Sequence, residues 1–242
     1  NEYYEDTKRI LEELLNLSKG GLVGYRNLVT YWMNENPETV NCEEKKNILN
    51  EMFVNSQVAL IYGAAGTGKT YLLNHVAQLF DEQTKLFLAN TNPAVDNLRR
   101  KMKAKNCDFS TIAMFLKRGN VNATYDILIM DECSMVSNSD MRKVLEKANY
   151  KLLVLVGDTY QIEAISFGNW FSLAKYFLPR KTWNELTTPF RANDELLKLW
   201  TKVRKMEDDI TEHLVNYGYS SVLNESIFQQ NSSDEIIPVS YT

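Results

Sequence analysis

Short, continuous apolar runs alternate with amphipathic stretches through the middle of the chain. Val58–Tyr62, Leu86–Ala89, Ile127–Met130 and Leu152–Val156 read as strands buried on both faces. Between them, Thr70–Phe80 and Pro93–Lys105 carry apolar residues at helical spacing. Strands joined by helical crossovers predict an α/β fold with a mostly parallel sheet covered by helices.

The two ends follow a different pattern. Ile10, Leu11, Leu14 and Leu15 stand at helical spacing within Tyr3–Leu17, and the pair Gly20 and Gly21 closes that run. A second apolar group, Leu28, Val29, Tyr31, Trp32 and Met33, precedes the polar stretch Asn34–Asn41, which holds Pro37 and reads as a linker. Residues 1–41 are therefore expected to form a helical amino-terminal appendage and 42–186 the sheet-bearing lobe. After Arg191 the pattern is helical again, through Leu196, Leu197, Leu199, Trp200 and Val203, and Glu235–Tyr241 reads as a last strand.

Composition narrows the class. A chain of 242 residues with 44% hydrophobic content can bury one good core and part of a second. Its net charge of −4 gives no overall basic field, so any contact with a polyanion must be local. Cys42, Cys107 and Cys133 lack the paired spacing of a zinc site or a disulfide framework, which fits a reduced, cytoplasmic setting. No apolar run approaches the roughly 20 residues that span a bilayer, and the start lacks a signal peptide's features, so no membrane partner is expected. The first residue is Asn1 rather than Met, and the last ones read as a strand with nothing after it; the chain is expected to be a fragment of something longer.

The chemistry concentrates at strand ends. Gly63-Ala64-Ala65-Gly66-Thr67-Gly68-Lys69-Thr70 follows one predicted strand directly and opens a helix, which is the context of a phosphate-binding loop. Gly63, Gly66, Thr67 and Gly68 let successive backbone N–H groups face the phosphates of ATP, and the helix start adds partial positive charge. Lys69 then reaches the β- and γ-phosphates, and the Thr70 hydroxyl ligates Mg²⁺. The bland reading, a Gly-rich turn that happens to hold Lys-Thr, does not account for the flanking elements. Ile127–Met130 ends in Asp131 and Glu132, where a parallel sheet presents its ligands. Asp131 is placed on Mg²⁺ and Glu132 as the base for the attacking water; taken alone, such a pair is more often a solvated helix start.

Asp131-Glu132-Cys133-Ser134-Met135-Val136 resembles motif II of the RecD-like branch of superfamily 1 helicases. Gly157-Asp158-Thr159-Tyr160-Gln161-Ile162 is similar to motif III, and the resemblance makes Gln161 a γ-phosphate sensor. Leu186-Thr187-Thr188-Pro189-Phe190-Arg191 is similar to motif IV and implies Arg191 as an arginine finger. Ala89–Val95 and Ser110-Thr111-Ile112 are similar to motifs that face nucleic acid, which implies Thr91, Asn92 and Thr111 as contacts to single-stranded DNA or RNA. Arg99, Arg100, Lys101, Lys103, Lys105, Lys117 and Arg118 form the densest basic stretch; they either track phosphates or form a solvated helix face.

Several features depart from that resemblance or stay outside it. The stretch Cys42–Leu49 lacks the glutamine that reads adenine in the family. Motifs V and VI are absent, so residues 42–186 correspond to the first RecA-like lobe and 187–242 to a helical hinge with the start of a truncated second lobe. His75 and His213 have no partner at metal-ligand spacing, and Trp32, Trp170, Trp183 and Trp200 read as packing residues. The expected activity is ATP hydrolysis coupled to translocation on, or unwinding of, nucleic acid. The alternative is a nucleotide-dependent switch or assembly ATPase acting on a protein partner, which the acidic balance favours. A small-molecule kinase would leave Gln161 and Arg191 without a role.

Overall fold

The structure, a computed structural model, describes residues 2–40, 42–118, 123–158 and 169–188, with Lys202, Asp209 and Ile210 beyond them. The chain divides into two compact units, 1–191 and 192–242. The expected carboxy-terminal helix and the strand Glu235–Tyr241 lie outside the described residues, apart from those three isolated positions.

Three helices, α1 (Glu2–Leu17), α2 (Tyr25–Glu35) and α3 (Glu43–Glu51), precede the first strand, β1 (Val58–Gly63). Then come α4 (Lys69–Leu79), β2 (Lys85–Ala89), α5 (Asn92–Lys101), β3 (Cys107–Thr111), α6 (Ile112–Lys117) and β4 (Thr124–Met130). A 3₁₀ turn at Cys133–Met135 leads to α7 (Asn138–Lys147), β5 (Asn149–Gly157), α8 (Trp170–Phe177) and β6 (Trp183–Leu186). The six strands form one sheet in the order β3-β2-β4-β5-β1-β6, and every described pairing is parallel. This is the expected fold class, with two more strands than the apolar runs announced.

Alternate side chains divide the core between the two faces, as the two-residue period of a strand requires. Ala59, Ile61, Phe87, Ile129, Val154 and Val156 pack with α2, α3, α4 and α5. Val58, Leu60, Leu88, Leu128, Leu153 and Leu155 pack with α1, α6, α7 and α8. Ile10 and Leu14 of α1 and Val29 of α2 are fully buried in these two clusters. Residues 2–40 thus cover the sheet as part of the first unit, because their apolar stripes have a partner on each face.

Two boundaries differ from expectation for visible reasons. The helix expected over Pro93–Lys105 ends at Lys101. Beyond it the Lys103 N–H donates to Asn74 Oδ1 at 2.7 Å and the Lys105 N–H to Asp81 Oδ1 at 2.8 Å, so side chains from α4 and the turn after it take the donors a longer helix would use. β4 and β5 start several residues early, in polar stretches, because their first residues pair with one another, Thr124 with Asn149 and Tyr125 with Tyr150. Among the described residues no helix is long and apolar enough to cross a membrane.

Candidate functional site

The strand register brings the sequence motifs to one edge of the sheet. Tyr62 lies opposite Gly157, Gly63 opposite Leu186, Leu88 opposite Met130 and Ala89 opposite Thr111. The phosphate-binding loop, the two acids, Thr91, Thr111 and the segment after β6 therefore all leave from the carboxyl ends of the strands, where a parallel sheet gathers its ligands.

The loop itself is built by backbone conformations that need glycine. Gly66 and Gly68 have φ of 81° and 83°, and Gly68 caps α4 from the left-handed region. A Cβ on Gly66 would meet nothing within 4 Å, so this residue faces open space; one on Gly63 would come within 2.6 Å of Thr67 Oγ1 and 3.1 Å of Leu186 Cβ. Thr67 Oγ1 donates to Ala64 O at 2.9 Å, and Lys69 Nζ donates to Gly63 O and Ala64 O at 2.7 and 2.8 Å. A lysine held over its own loop at the start of a helix places an ammonium beside the N–H groups of that helix start, an arrangement suited to phosphate.

Across the intervening strand β5, the end of β4 carries the acids. Asp131 is 9% exposed, and its N–H donates to Leu88 O at 2.9 Å. Its Oδ1 accepts from the Glu132 N–H at 2.9 Å. Burial pushes the Asp131 carboxyl above the usual carboxylate range, while that N–H and the ammonium groups of Lys69 and Lys101 pull it back. Burial, and then the charge of Asp131, also raise Glu132, again opposed by Lys69. Two acids raised in this way are stabilised by further positive charge, and Asp131 and Thr70 offer oxygen donors of the kind a hard divalent cation takes. Glu132 stands at φ 57°, a left-handed conformation that costs a non-glycine residue energy and persists only where its surroundings enforce it. Cys133 is fully buried and packs in the core.

Residues 42–221 match the AAA domain family. The chain belongs to that family. The fold of this AAA domain is similar to that of Pif1 helicase in a structure of DNA unwinding at forked double-stranded DNA by two coordinating copies, with 17% identity, a TM-score of 0.51, and coverage of 72% of this chain and 51% of that one. It is equally similar to Pif1 helicase from Bacteroides in complex with ADP-AlF₃ and single-stranded DNA, with 18% identity, a TM-score of 0.50, and coverage of 72% and 48%. The chain spans about half the length of these solved helicases. The likeness establishes the RecA-like lobe and does not select the RecD-like branch.

Two of the three candidate nucleic-acid residues of the AAA domain, Thr91 and Thr111, serve locally as helix caps. Thr91 Oγ1 accepts from the Ala94 N–H at 3.3 Å and Thr111 Oγ1 from the Met114 N–H at 3.2 Å, which leaves each hydroxyl proton to donate. Asn92, the first residue of α5, is exposed beside Thr91. Part of the basic stretch is committed to neighbours: Arg99 pairs with Asp96 at 2.8 Å, and Lys105 with Asp81 and Glu82 at 3.5 and 3.3 Å.

Gln161 and Arg191 lie outside the described residues, as do His213 and Trp200. Trp170 is fully buried, its Nε1–H donating to Val136 O at 2.9 Å, and His75 is buried on α4. Two residues near this edge make contacts that the sequence reading did not assign to them. Gly157 brings β5 so close to Phe171 and to the Ser134 backbone that an added Cβ would approach them to 2.6 and 3.1 Å. Glu44 of α3 accepts hydrogen bonds from the segment after β6.

Proposed function

We propose that this chain is the ATP-binding lobe of a motor that couples ATP hydrolysis to movement on single-stranded DNA or RNA. The observation that carries the reading is the placement of Lys69, Asp131 and Glu132 at one sheet edge, with the lysine charge acting on both acids. The site residues fit nucleotide and metal. Gly63, Gly66, Thr67 and Gly68 shape the loop whose N–H groups face the phosphates, and Lys69 exchanges its loop carbonyls for β- and γ-phosphate oxygens.

Thr70 and Asp131 would hold Mg²⁺, which supplies neutralisation of the phosphate charge when bound. Glu132 orients the attacking water and takes its proton, a role suited to a carboxyl raised by burial and a neighbouring acid. Gln161 reports the state of the γ-phosphate to the sheet. Arg191 stabilises the charge developing there, a contribution of about 10³ to 10⁵ in rate for such fingers. Thr91, Asn92 and Thr111 meet the nucleic-acid backbone, and a second RecA-like lobe closes over the nucleotide.

A second reading, a nucleotide-dependent switch acting on a protein partner, is favoured by the net charge of −4 and by the pairing of Arg99 and Lys105 with acids. Calorimetric titration of this chain with ATP and Mg²⁺ tests what both readings share. Binding that Lys69→Ala weakens is expected, and its absence contradicts both.

A further inference from the structure

We infer that Asn90 is a positioning residue for strand-stimulated hydrolysis: its side chain joins the segment proposed to hold nucleic acid to the turn that carries Glu132. The inference rests on the proposed motor reading and names the contact through which an occupied strand site acts on the catalytic base.

The ends of β2 and β4 are tied together at the edge of the sheet. Leu88 lies opposite Met130, and Leu88 O accepts the Asp131 N–H at 2.9 Å. Two residues beyond Leu88, Asn90 Nδ2 donates to Met135 O at 3.5 Å. Asn90 directly precedes Thr91, the cap of α5, and Asn92, its first residue. One amide side chain therefore reaches from the proposed strand contacts to the turn that follows the two acids.

That turn is closed by its own hydrogen bonds. The Met135 N–H donates to Glu132 O at 2.9 Å and the Val136 N–H to Cys133 O at 3.2 Å. Its inner side is anchored, because Cys133 is fully buried and Val136 O accepts the Trp170 Nε1–H at 2.9 Å. Glu132 is half-buried and Met135 exposed. A pull on Met135 O is thus carried to Glu132, which stands at φ 57° in the small left-handed region, where a slight change of backbone angle redirects the carboxylate.

The Asn90 bond is long and joins two exposed residues, so it contributes little to the stability of the free protein. Hydrogen bonds around a site of chemistry commonly tighten only when the ligand is in place. A nucleic-acid backbone seated on Thr91 and Asn92 draws on the segment that holds Asn90, and shortening this bond sets Glu132 towards the attacking water. A displacement of about 1 Å can be worth as much as 10²-fold in rate.

The test is ATP hydrolysis by the full-length protein titrated with oligothymidylate and with oligouridylate, for wild type, Asn90→Leu and Asn90→Gln, with thermal unfolding measured beside it. Asn90→Leu, which keeps the size and loses the donor, is expected to lower the strand-saturated kcat by about fivefold or more. The unstimulated kcat, the KM for ATP and the strand concentration that gives half-stimulation should each stay within about twofold of wild type. Asn90→Gln, which keeps an amide donor, recovers part of the stimulated rate. Should Asn90→Leu fail to fold, Asn90→Ala removes the donor without adding apolar surface and must give the same split. Undiminished stimulation overturns the positioning role, and so does an equal loss with and without strands. A loss seen only as a higher half-stimulating concentration makes Asn90 a plain strand contact and overturns it as well, with the motor reading left standing in all three cases. Lys69-dependent hydrolysis that neither polymer stimulates in wild type overturns the motor reading and the inference together.

Discussion

Arg142 Nε lies 2.6 Å from Asp6 Oδ1, and this largely buried pair joins the first helix of the chain to the helix that follows the two candidate catalytic acids. The side chains are 20% and 7% exposed, and the contact is reinforced by Asn138 Nδ2, which donates to Thr7 Oγ1 at 2.5 Å. Arg142→Ala leaves the Asp6 carboxylate buried without its cation, and a loss of about 3 kcal/mol in stability is expected. Denaturant unfolding checks it: a shift below about 0.5 kcal/mol would mean that α1 is an accessory to the lobe rather than one of its walls.

Gly66 separates the loop's architecture from its ligand. Its φ of 81° makes Gly66→Ala cost about 1 kcal/mol in stability. The open space in front of it means the free protein has nothing for the new methyl to strike. On the proposed reading that space takes a phosphate oxygen, and nucleotide affinity is then expected to fall by at least about tenfold because the methyl would occupy it. Equal affinity in wild type and variant, measured by calorimetry, would place the phosphates elsewhere.

Glu132 carries its strain for a purpose, on the proposed reading. Glu132→Gly removes the left-handed penalty at φ 57° and is expected to leave stability unchanged or raise it by about 1 kcal/mol. The same change should lower ATP turnover by about 10² or more, since the base for the attacking water is gone. A variant that is both less stable and fully active would contradict the assignment.

Much of this fold is legible in the sequence, and the parts that are not share a physical reason. β1, β2, β4 and β5 are buried on both faces at their centres, so apolar runs announce them. β3 and β6 lie at the two edges of the sheet; Cys107-Asp108-Phe109-Ser110-Thr111 and Trp183-Asn184-Glu185-Leu186 are mixed in polarity because an edge strand is only partly covered. The phosphate-binding loop is visible because glycine, lysine and threonine must stand at fixed spacing along one stretch. Glu44 is not, because its partner Thr187 is 143 residues away and a lone glutamate on a helix looks solvated. The strain at Glu132 is equally silent, since no residue type announces a conformation imposed by its neighbours.

His75 gives the fold a pH dependence that can be isolated. Burial, followed by the charge of Lys45, lowers its imidazole to about 4 from the ordinary 6.5. With the folded value depressed, the unfolded chain takes up the proton first as pH falls. The stability that neutral His75 contributes is therefore complete above pH 6.5 and is lost progressively towards pH 4, on the order of 2–3 kcal/mol in all. His75→Phe, which keeps a ring beside Tyr71 and Trp32, should show a shallower decline across that window in urea unfolding. Parallel slopes for the two proteins would remove His75 from the account.

The central claim is tested most directly by steady-state ATP hydrolysis of the full-length protein, with and without single-stranded DNA or RNA, and with Lys69→Ala as the blank. Hydrolysis that single strands stimulate strongly and that the variant abolishes is the predicted result. Hydrolysis that is indifferent to nucleic acid contradicts the motor and leaves the switch, and turnover that survives Lys69→Ala contradicts the site itself.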